Sequence, residues 1–344
     1  MPDETRDVVP LAVRRALGAE AEAGEPTLLA GGAMHDSWAV TARHSSSSQE
    51  LVVRVSPAGR ADHEKTHREF VVLRAAWERG VACPRPLAWG VCETGEDFLV
   101  MTRMPGDTNP RQLVTSPAFA QAREAMLPQL AEHLARIHAI PLEAVADAPN
   151  LRAPAPGEDA LTALRRQTEA EYRQLMLDPH PAIEWAFRWL DRQLSSMPAP
   201  AAAPCIVHGD FRVGNIMYDA RGLTAILDWE GAHVGAPEED IAWFCTRVWR
   251  FGRPDLAAGG IADREAWVEA YERASGRPVD RGRLLAWEVL QNIRWAVITF
   301  MQARAHLDGH TVSHELAAIG RRTAETELEI LRLSGVVAEV RGAG

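Results

Sequence analysis

A polar loop between two β-prone runs, within Cys205 to Asp228, constrains the fold of this chain more than any other stretch. The apolar run "CIV" stops at "HGD" (208–210), and "NIMYD–ARG–LTAILD" follows as a predicted hairpin. The loop places a carboxylate at Asp210 and a carboxamide at Asn215, just before the hairpin begins. Because the hairpin would fold Asp228 back beside its own start, we expect Asp228 to lie next to Asn215.

The rest of the chain divides into a β-rich beginning and a helical remainder. "SWAVTA" and "LVVRV" predict a hairpin with "RHSSSSQE" as its turn, "DHEKTHREFVVLRAAWERG" predicts a helix that ends at Gly80, and two further strands follow. Beyond "MPGDTNP", apolar stripes predict mostly helices, one of which starts or kinks at Pro128. The sequence therefore predicts an α+β protein with a small β-rich N-lobe (1–103) and a larger helical C-lobe (104–344).

Composition excludes several classes of protein. The 344 residues are 47% hydrophobic and 24% charged, as in ordinary globular proteins, and no apolar run is long enough to span a membrane. A net charge of −10 argues against nucleic acid as a partner. The start of the chain lacks the apolar segment of a secretory signal, and the four scattered cysteines favour reduced, inert thiols. We therefore expect a cytoplasmic protein, a monomer or a homodimer.

The loop and hairpin carry the residue types needed to move a phosphoryl group to an alcohol. That reaction requires a positioned hydroxyl, a base for its proton and cations on the phosphates. Asp210 fits the base, and the oxygens of Asn215 and Asp228 fit Mg²⁺, which prefers oxygen ligands. We expect the three side chains to meet around a bound magnesium–nucleotide complex.

"HGDFRVGN" followed by "AILDWE" resembles the aminoglycoside phosphotransferase and choline kinase-like family, in particular the branch related to domains fused to acyl-CoA dehydrogenases. The resemblance runs from "LLAGGAMHDSWAV" to "FMQARAHL". It implies a bilobal protein-kinase-like fold and a kinase that uses ATP, or GTP, with Mg²⁺ to phosphorylate a hydroxyl of a small molecule. It also implies that Asp210 is the base and that Asn215 and Asp228 hold the metal.

The same resemblance assigns roles to further residues. They are Gly31 and Gly32 over the phosphates, Arg54 on the phosphates with Glu69 orienting it, Met101, Thr102 and Arg103 at the adenine edge, Arg212 near the transferring phosphate, and His208 and Asp240 as structural support of the loop.

The chain departs from the family pattern at two positions. Arg54 stands where many relatives have a lysine, and Arg is not equivalent to Lys in binding phosphate. Lys65 is the sole lysine among 37 basic residues, so the replacement follows a bias of the whole chain. In "GAPEEDIAW", Ala236 stands where relatives often have Asp, which leaves the turn before Asp240 less defined.

Simpler structural roles compete with several assignments. Asp210 and Asn215 are common turn residues, and Asp240 would also suit a helix N-cap. Lys65 lies four residues before Glu69, which favours a surface ion pair between them. Glu230 would either support the metal or be solvated. The C-terminal tryptophans, such as Trp287 and Trp295, favour core packing over an acceptor pocket.

Two other functions remain open from the sequence. A nucleotide-binding regulatory module without transfer activity is favoured only by Arg54. A metal-dependent hydrolase would use His208, Asp210, Asp228 and His233 as ligands. For a kinase, the local acidic cluster 238–240 is small, so we expect a hydroxylated metabolite less cationic than an aminoglycoside, such as a hydroxyacyl compound.

Overall fold

The computed structural model describes residues 2–29, 35–200, 203–311 and 313–337, and it confirms the predicted α+β class. Its strands are β1 (Glu22–Ala23), β2 (Thr27–Leu28), β3 (Asp36–His44), β4 (Ser47–Ser56), β5 (Pro86–Val91), β6 (Asp97–Thr102), β7 (Cys205–Val207), β8 (Ile216–Asp219), β9 (Gly222–Ile226) and β10 (His233–Gly235). Its helices are α1 (Pro2–Arg6), α2 (Val9–Leu17), α3 (His63–Glu78), α4 (Pro110–Thr115), α5 (Ala120–His138), α6 (Ala160–Leu175), α7 (Pro181–Ser196), α8 (Pro237–Cys245), α9 (Arg264–Ser275), α10 (Arg281–Leu307), α11 (His314–Ile319) and α12 (Thr323–Leu333).

The chain forms two compact units, each assembled from separate segments of the sequence. The first unit comprises Met1–Asn109, Ala118–Arg152 and Asn215–His233, and the second comprises Pro110–Pro117, Ala153–Gly214 and Val234–Gly344. The predicted boundary between the N-lobe (1–103) and the C-lobe (104–344) stays a prediction.

An antiparallel sheet forms the centre of the first unit, with strand order β1-β3-β4-β6-β5 and β2 paired with β3. Val53 in β4 lies between Trp38 of β3 and Val100 of β6. Successive side chains of a strand point to opposite faces, so Leu51, Val53 and Val55 share one buried face while Arg54 lies on the other. The sheet thereby directs the Arg54 side chain away from this apolar core.

Helix α2 covers the apolar face of the sheet and is absent from the sequence prediction, which assigned mostly strands to this part of the chain. Val9, Ala12 and Val13 recur at helical spacing and are fully buried in the same core as Val53. The short length of the stripe, which falls within 9 residues, explains why the pattern did not stand out.

Local signals placed most of the other elements in the first unit. Asp62 caps α3 by accepting the backbone N–H of Lys65 at 3.0 Å, and Gly80 follows the helix in the left-handed region (φ 72°). The β3–β4 turn is shorter than predicted, since the strands continue to His44 and from Ser47. Helix α5 begins at Ala120 and runs through Pro128, so the alternative that a helix starts at Pro128 is wrong.

Helices dominate the second unit, as the sequence predicts. The 27-residue helix α10 carries a long run of buried side chains, and α9 contributes the fully buried Trp267. Trp267 packs against Phe211 and Phe244, with ring centroids 6.2 and 4.9 Å away. Phe211 follows Asp210 directly, so this packing anchors the end of the polar loop.

Among the described residues, no helix combines the length and apolar character that a membrane crossing requires.

The cysteines give a test of this packing. Burial raises the pKa of the Cys83 thiol to about 12, and it also raises the pKa of Cys205 and Cys245, whereas Cys92 is only partly buried. Because the thiolate is the reactive form, we expect Ellman's reagent to modify at most Cys92 within minutes in the native protein, and all 4 cysteines in guanidinium. Rapid reaction of two or more native thiols would contradict the packing.

Candidate active site

A buried carboxylate holds the loop that follows β7 in the second unit. Asp240 accepts hydrogen bonds from the backbone N–H groups of His208 (2.7 Å) and Gly209 (2.9 Å), and it is fully buried. Gly209 adopts φ 78°, which favours glycine because it has no Cβ. The alternative role for Asp240 is wrong: α8 begins at Pro237 with Ala236 at its N-cap, so Asp240 lies inside the helix.

His208 supports the same loop from within. Its ring is buried, and Nδ1 accepts the backbone N–H of Asp210 at 3.3 Å. On α10, Arg294 donates from Nη2 to the carbonyl of Gly209 at 3.3 Å. The main chain on the N-terminal side of Asp210 is therefore held by contacts from three different segments.

The Asp210 carboxylate accepts two kinds of donor in this unit. The indole Nε1–H of Trp243 donates to Oδ1 at 2.7 Å, and Nε of Arg212 lies 3.1 Å from Oδ1 and 3.0 Å from Oδ2. The Asp210 side chain is 27% exposed. The donors therefore orient the carboxylate while part of it remains accessible to solvent. Arg212 binds Asp210 here, and its predicted contact with the transferring phosphate stays a prediction.

In the first unit, the hairpin brings the two predicted metal ligands next to each other along the backbone. Ile216 pairs with Ile226, and Leu227 donates its N–H to the carbonyl of Asn215 at 2.8 Å, so Asp228 directly follows the partner of Asn215. Asp228 adopts φ 64°, an uncommon conformation for a residue with a side chain. An amide oxygen and a carboxylate at the end of one hairpin fit the oxygen donors that Mg²⁺ prefers.

Arg54 forms an ion pair with Glu69 of α3, the partner that the sequence analysis assigned to it. Glu69 is only 3% exposed, so the pair is largely removed from water. Burial alone would lower the pKa of Arg54, but the charges of Glu69, Glu230 and Asp228 raise it above its ordinary value. Arg54 thus lies within electrostatic reach of the proposed metal ligand Asp228.

Lys65 does not pair with Glu69 as the helical spacing suggested. Its Nζ lies 2.9 Å from Oε2 of Glu230, and Nε2 of His35 lies 3.4 Å from the same oxygen. The hydrogen bond to His35 and the ion pair with Lys65 lower the pKa of Glu230 to about 2. Glu230 is therefore neither merely solvated nor isolated, because it links α3 to the segment that follows Asp228.

The predicted nucleotide contacts are only partly described by the structure. Gly31 and Gly32 lie outside the described residues. In the segment from Met101 to Arg103, the N–H of Thr102 donates to Arg85 O (3.0 Å) and that of Arg103 to Glu50 O (2.9 Å). An adenine bound at this segment would have to pair with backbone groups other than these two N–H groups. The predicted contact of residues 101–103 with adenine stays a prediction.

Burial in the second unit bears on two sequence expectations. The acidic cluster Glu238, Glu239 and Asp240 is buried, with at most 9% of any residue exposed. Trp287 is fully buried, which agrees with the favoured interpretation that it packs in the core. Sequence reasoning missed the bond from Trp243 to Asp210, because a separation of 33 positions gives no local signal.

Across the described ranges, no group of three or more His, Cys, Asp and Glu side chains is arranged to hold a metal ion. The hydrolase alternative stays a prediction.

The fold and the loop can now be compared with known proteins. A family model described as the phosphotransferase enzyme family matches residues 25–287, about three quarters of the chain. The chain belongs to this family. The predicted family and the predicted class of enzyme, a phosphotransferase, are confirmed by this membership.

Individual relatives agree with the family assignment. Acyl-CoA dehydrogenase family member 11 of Gallus gallus is 28% identical over 306 residues, which cover 82% of this chain and 38% of that protein. The chain spans only 22–38% of the length of the first three curated relatives that it matches. The predicted likeness to domains joined to acyl-CoA dehydrogenases is therefore confirmed.

Solved structures share the fold along nearly the whole chain. A provisionally named aminoglycoside phosphotransferase of Ralstonia eutropha has a TM-score of 0.75 at 20% identity and covers 97% of this chain and 99% of its own. A thermostable mutant of the aminoglycoside phosphotransferase APH(4)-Ia, in a complex with AMP-PNP and hygromycin B, has a TM-score of 0.63 at 19% identity, with 96% and 99% covered. The predicted protein-kinase-like fold class is confirmed, and at these identities the likeness concerns the fold alone.

The two ion pairs of the first unit predict different costs of removal. Glu69→Gln leaves the Arg54 guanidinium with a neutral partner in a buried place, so the free energy of unfolding should fall by roughly 3 kcal/mol. Lys65→Gln breaks a pair whose side chains are 28% and 34% exposed, and the expected loss is at most about 1 kcal/mol. Urea unfolding of both variants checks the order, and equal losses would contradict it.

Proposed function

We propose that this chain transfers the γ-phosphoryl group of ATP, or GTP, to a hydroxyl of a small molecule, with Asp210 as the base. The observation that carries the proposal is the Asp210 carboxylate, partly exposed and held by Trp243 and Arg212 on a loop whose main chain is fixed. A base must be oriented before it accepts a hydroxyl proton, and orientation is most of what phosphoryl transfer asks of a protein.

The remaining roles follow from the chemistry of the side chains. Asn215 and Asp228 would hold Mg²⁺, which supplies positive charge to the phosphates of the nucleotide. Arg54, fixed by Glu69, would contact a phosphate through its guanidinium. The convergence of these groups with Asp210 is part of the proposal. The family membership and the APH(4)-Ia complex with AMP-PNP support a nucleotide as the phosphoryl donor.

The charges around Asp210 support an acceptor with little positive charge. Glu239 and Asp240 are buried and already bind Arg294 and the backbone of the loop, so they are not available to a cationic ligand. Among the described residues of this unit, the guanidinium of Arg212 contacts the Asp210 carboxylate, and that of Arg294 contacts the carbonyl of the preceding Gly209. We infer a neutral or anionic hydroxylated metabolite, with a hydroxyacyl compound as one candidate.

The regulatory module without transfer activity remains a second candidate, and Arg54 is the one observation that favours it. The structure weakens this argument, because Arg54 forms an ion pair with Glu69 of α3. In protein kinases, the strand cation that contacts the phosphates requires such an ion pair with a helix glutamate.

Asp210→Ala should lower acceptor-dependent turnover by about 10²–10⁴-fold, because the proton of the acceptor loses its base. Nucleotide binding should remain, since Asp210 is not assigned to the phosphates or the metal. Asp219→Ala, which removes a hairpin carboxylate bonded to Arg221, is the matched control and should behave as the wild type. The measurements are nucleoside diphosphate release with acceptor, and thermal shift with Mg·ATP. Unchanged turnover in Asp210→Ala would refute the proposed mechanism, whereas binding without transfer in the wild type would favour the regulatory module.

A panel of acceptors tests the inference about charge. Glycerol, 3-hydroxybutyrate, 3-hydroxybutyryl-CoA and kanamycin differ in net charge and all carry hydroxyls. We expect the neutral or anionic compounds to give a kcat/KM at least about tenfold above that of kanamycin, a difference of about 1.4 kcal/mol in transition-state binding. The highest kcat/KM for kanamycin would show that the inference about charge is wrong while leaving the phosphotransferase proposal intact.

A further inference from the structure

Trp243 makes a polar contact that its place in the core does not require. It lies on α8, is 2% exposed, and donates from Nε1 to Oδ1 of Asp210 at 2.7 Å. Two other tryptophans of this unit, Trp249 and Trp287, are buried with an indole nitrogen that has no hydrogen-bond partner among the described residues. Burial in this unit therefore does not by itself oblige an indole N–H to find an acceptor.

The ring of Trp243 is fixed on two sides. Trp249 packs against it with centroids 5.4 Å apart at 61°, and the guanidinium of Arg294 lies 5.0 Å from its centroid. Trp249 in turn contacts Trp295, with centroids 4.8 Å apart. These three rings form the tryptophan cluster (Trp243, Trp249 and Trp295), and close packing leaves Trp243 little freedom to turn.

The second donor to Asp210 rests on the same cluster. The guanidinium of Arg212 lies 4.7 Å from the centroid of Trp249, while its Nε contacts both carboxylate oxygens of Asp210. Arg212 has a long side chain that is 25% exposed, whereas Trp243 has two side-chain torsions and is buried. Trp243 is thus the more rigid of the two donors.

We propose that Trp243 is a positioning residue for the phosphoryl transfer: its N–H fixes the orientation in which the Asp210 carboxylate, which Arg212 contacts at both oxygens, receives the hydroxyl proton of the acceptor. An indole N–H only donates, so it orients the carboxylate without exchanging a proton with it. In the step itself, the acceptor O–H bond breaks as its oxygen bonds to the γ-phosphorus, the proton passes to Asp210, and the nucleoside diphosphate leaves. This inference rests on the proposed function.

Trp243→Phe removes the N–H and keeps an aromatic ring in the cluster. We expect kcat to fall about 10- to 100-fold, because misplacing a reacting group by a fraction of an ångström is costly. The KM for Mg·ATP should stay within about twofold, since Trp243 is not assigned to the nucleotide. Trp287→Phe is the matched control: it removes an indole of the same unit whose N–H has no partner in the described part of the chain, and kcat should not change.

The assay uses the panel compound with the highest wild-type turnover, at saturating Mg·ATP. A second variant carries benzothienylalanine at position 243, which replaces the N–H by sulfur and keeps the shape of the ring. The same fall in kcat with unchanged melting temperature supports positioning even if Trp243→Phe folds poorly. In an Asp210→Ala background, loss of the Trp243 N–H should cause no further decrease in rate.

The outcomes separate the two proposals. If the benzothienylalanine variant keeps the kcat of the wild type while Asp210→Ala is inactive, the positioning role is refuted and the proposed function stands. A further loss in the Asp210→Ala background would also refute positioning, because it would show a purely structural effect. If the wild type phosphorylates no panel compound, the proposed function fails and the positioning role fails with it.

Discussion

The arrangement around the loop depends on one buried carboxylate, that of Asp240. A buried charge is costly unless it is hydrogen-bonded, and Asp240 meets that requirement with two consecutive backbone N–H groups, those of His208 and Gly209. Charge-assisted bonds of this kind fix the direction in which the chain leaves β7. Asp210 is the next residue, so the position of its backbone follows from a contact in the core although its carboxylate reaches solvent.

The charged side chains around Arg54 in the first unit suit the proposed metal. Arg54 is within reach of three carboxylates, those of Glu69, Glu230 and Asp228, while Lys65 binds one of them. Two cations facing three carboxylates leave a local excess of negative charge. A bare nucleotide would add to this excess, whereas the divalent cation that Asn215 and Asp228 would hold offsets part of it. Asp228, with its unusual backbone conformation, lies at the end of the hairpin beside Asn215.

Local patterns in the sequence predicted much of this fold, and tertiary contacts account for most of what they missed. The β-prone run "LVVRV" predicted β4, and the run from Asn215 to Asp228 predicted the hairpin. Lys65 was misassigned because i,i+4 spacing is visible in a sequence, whereas a partner 165 residues away is not. Pro128 is a further local signal, which predicted that a helix starts or kinks there. In the structure, helix α5 begins at Ala120 and continues through Pro128.

The candidate site shows the same division between what is local and what is not. The motif "HGDFRVGN" identified Asp210 from its neighbours in the chain, but nothing near it in sequence indicates that an indole from α8 would bind its carboxylate. The sequence also shows three charges in the run 238–240 but does not show that all three are buried. Membership of the family accounts for the loop, and its proposed role in phosphoryl transfer would be the same for any alcohol. The side chains around Asp210 include two guanidiniums and a tryptophan cluster and so differ from an acidic surface, which is why we propose an acceptor with little positive charge.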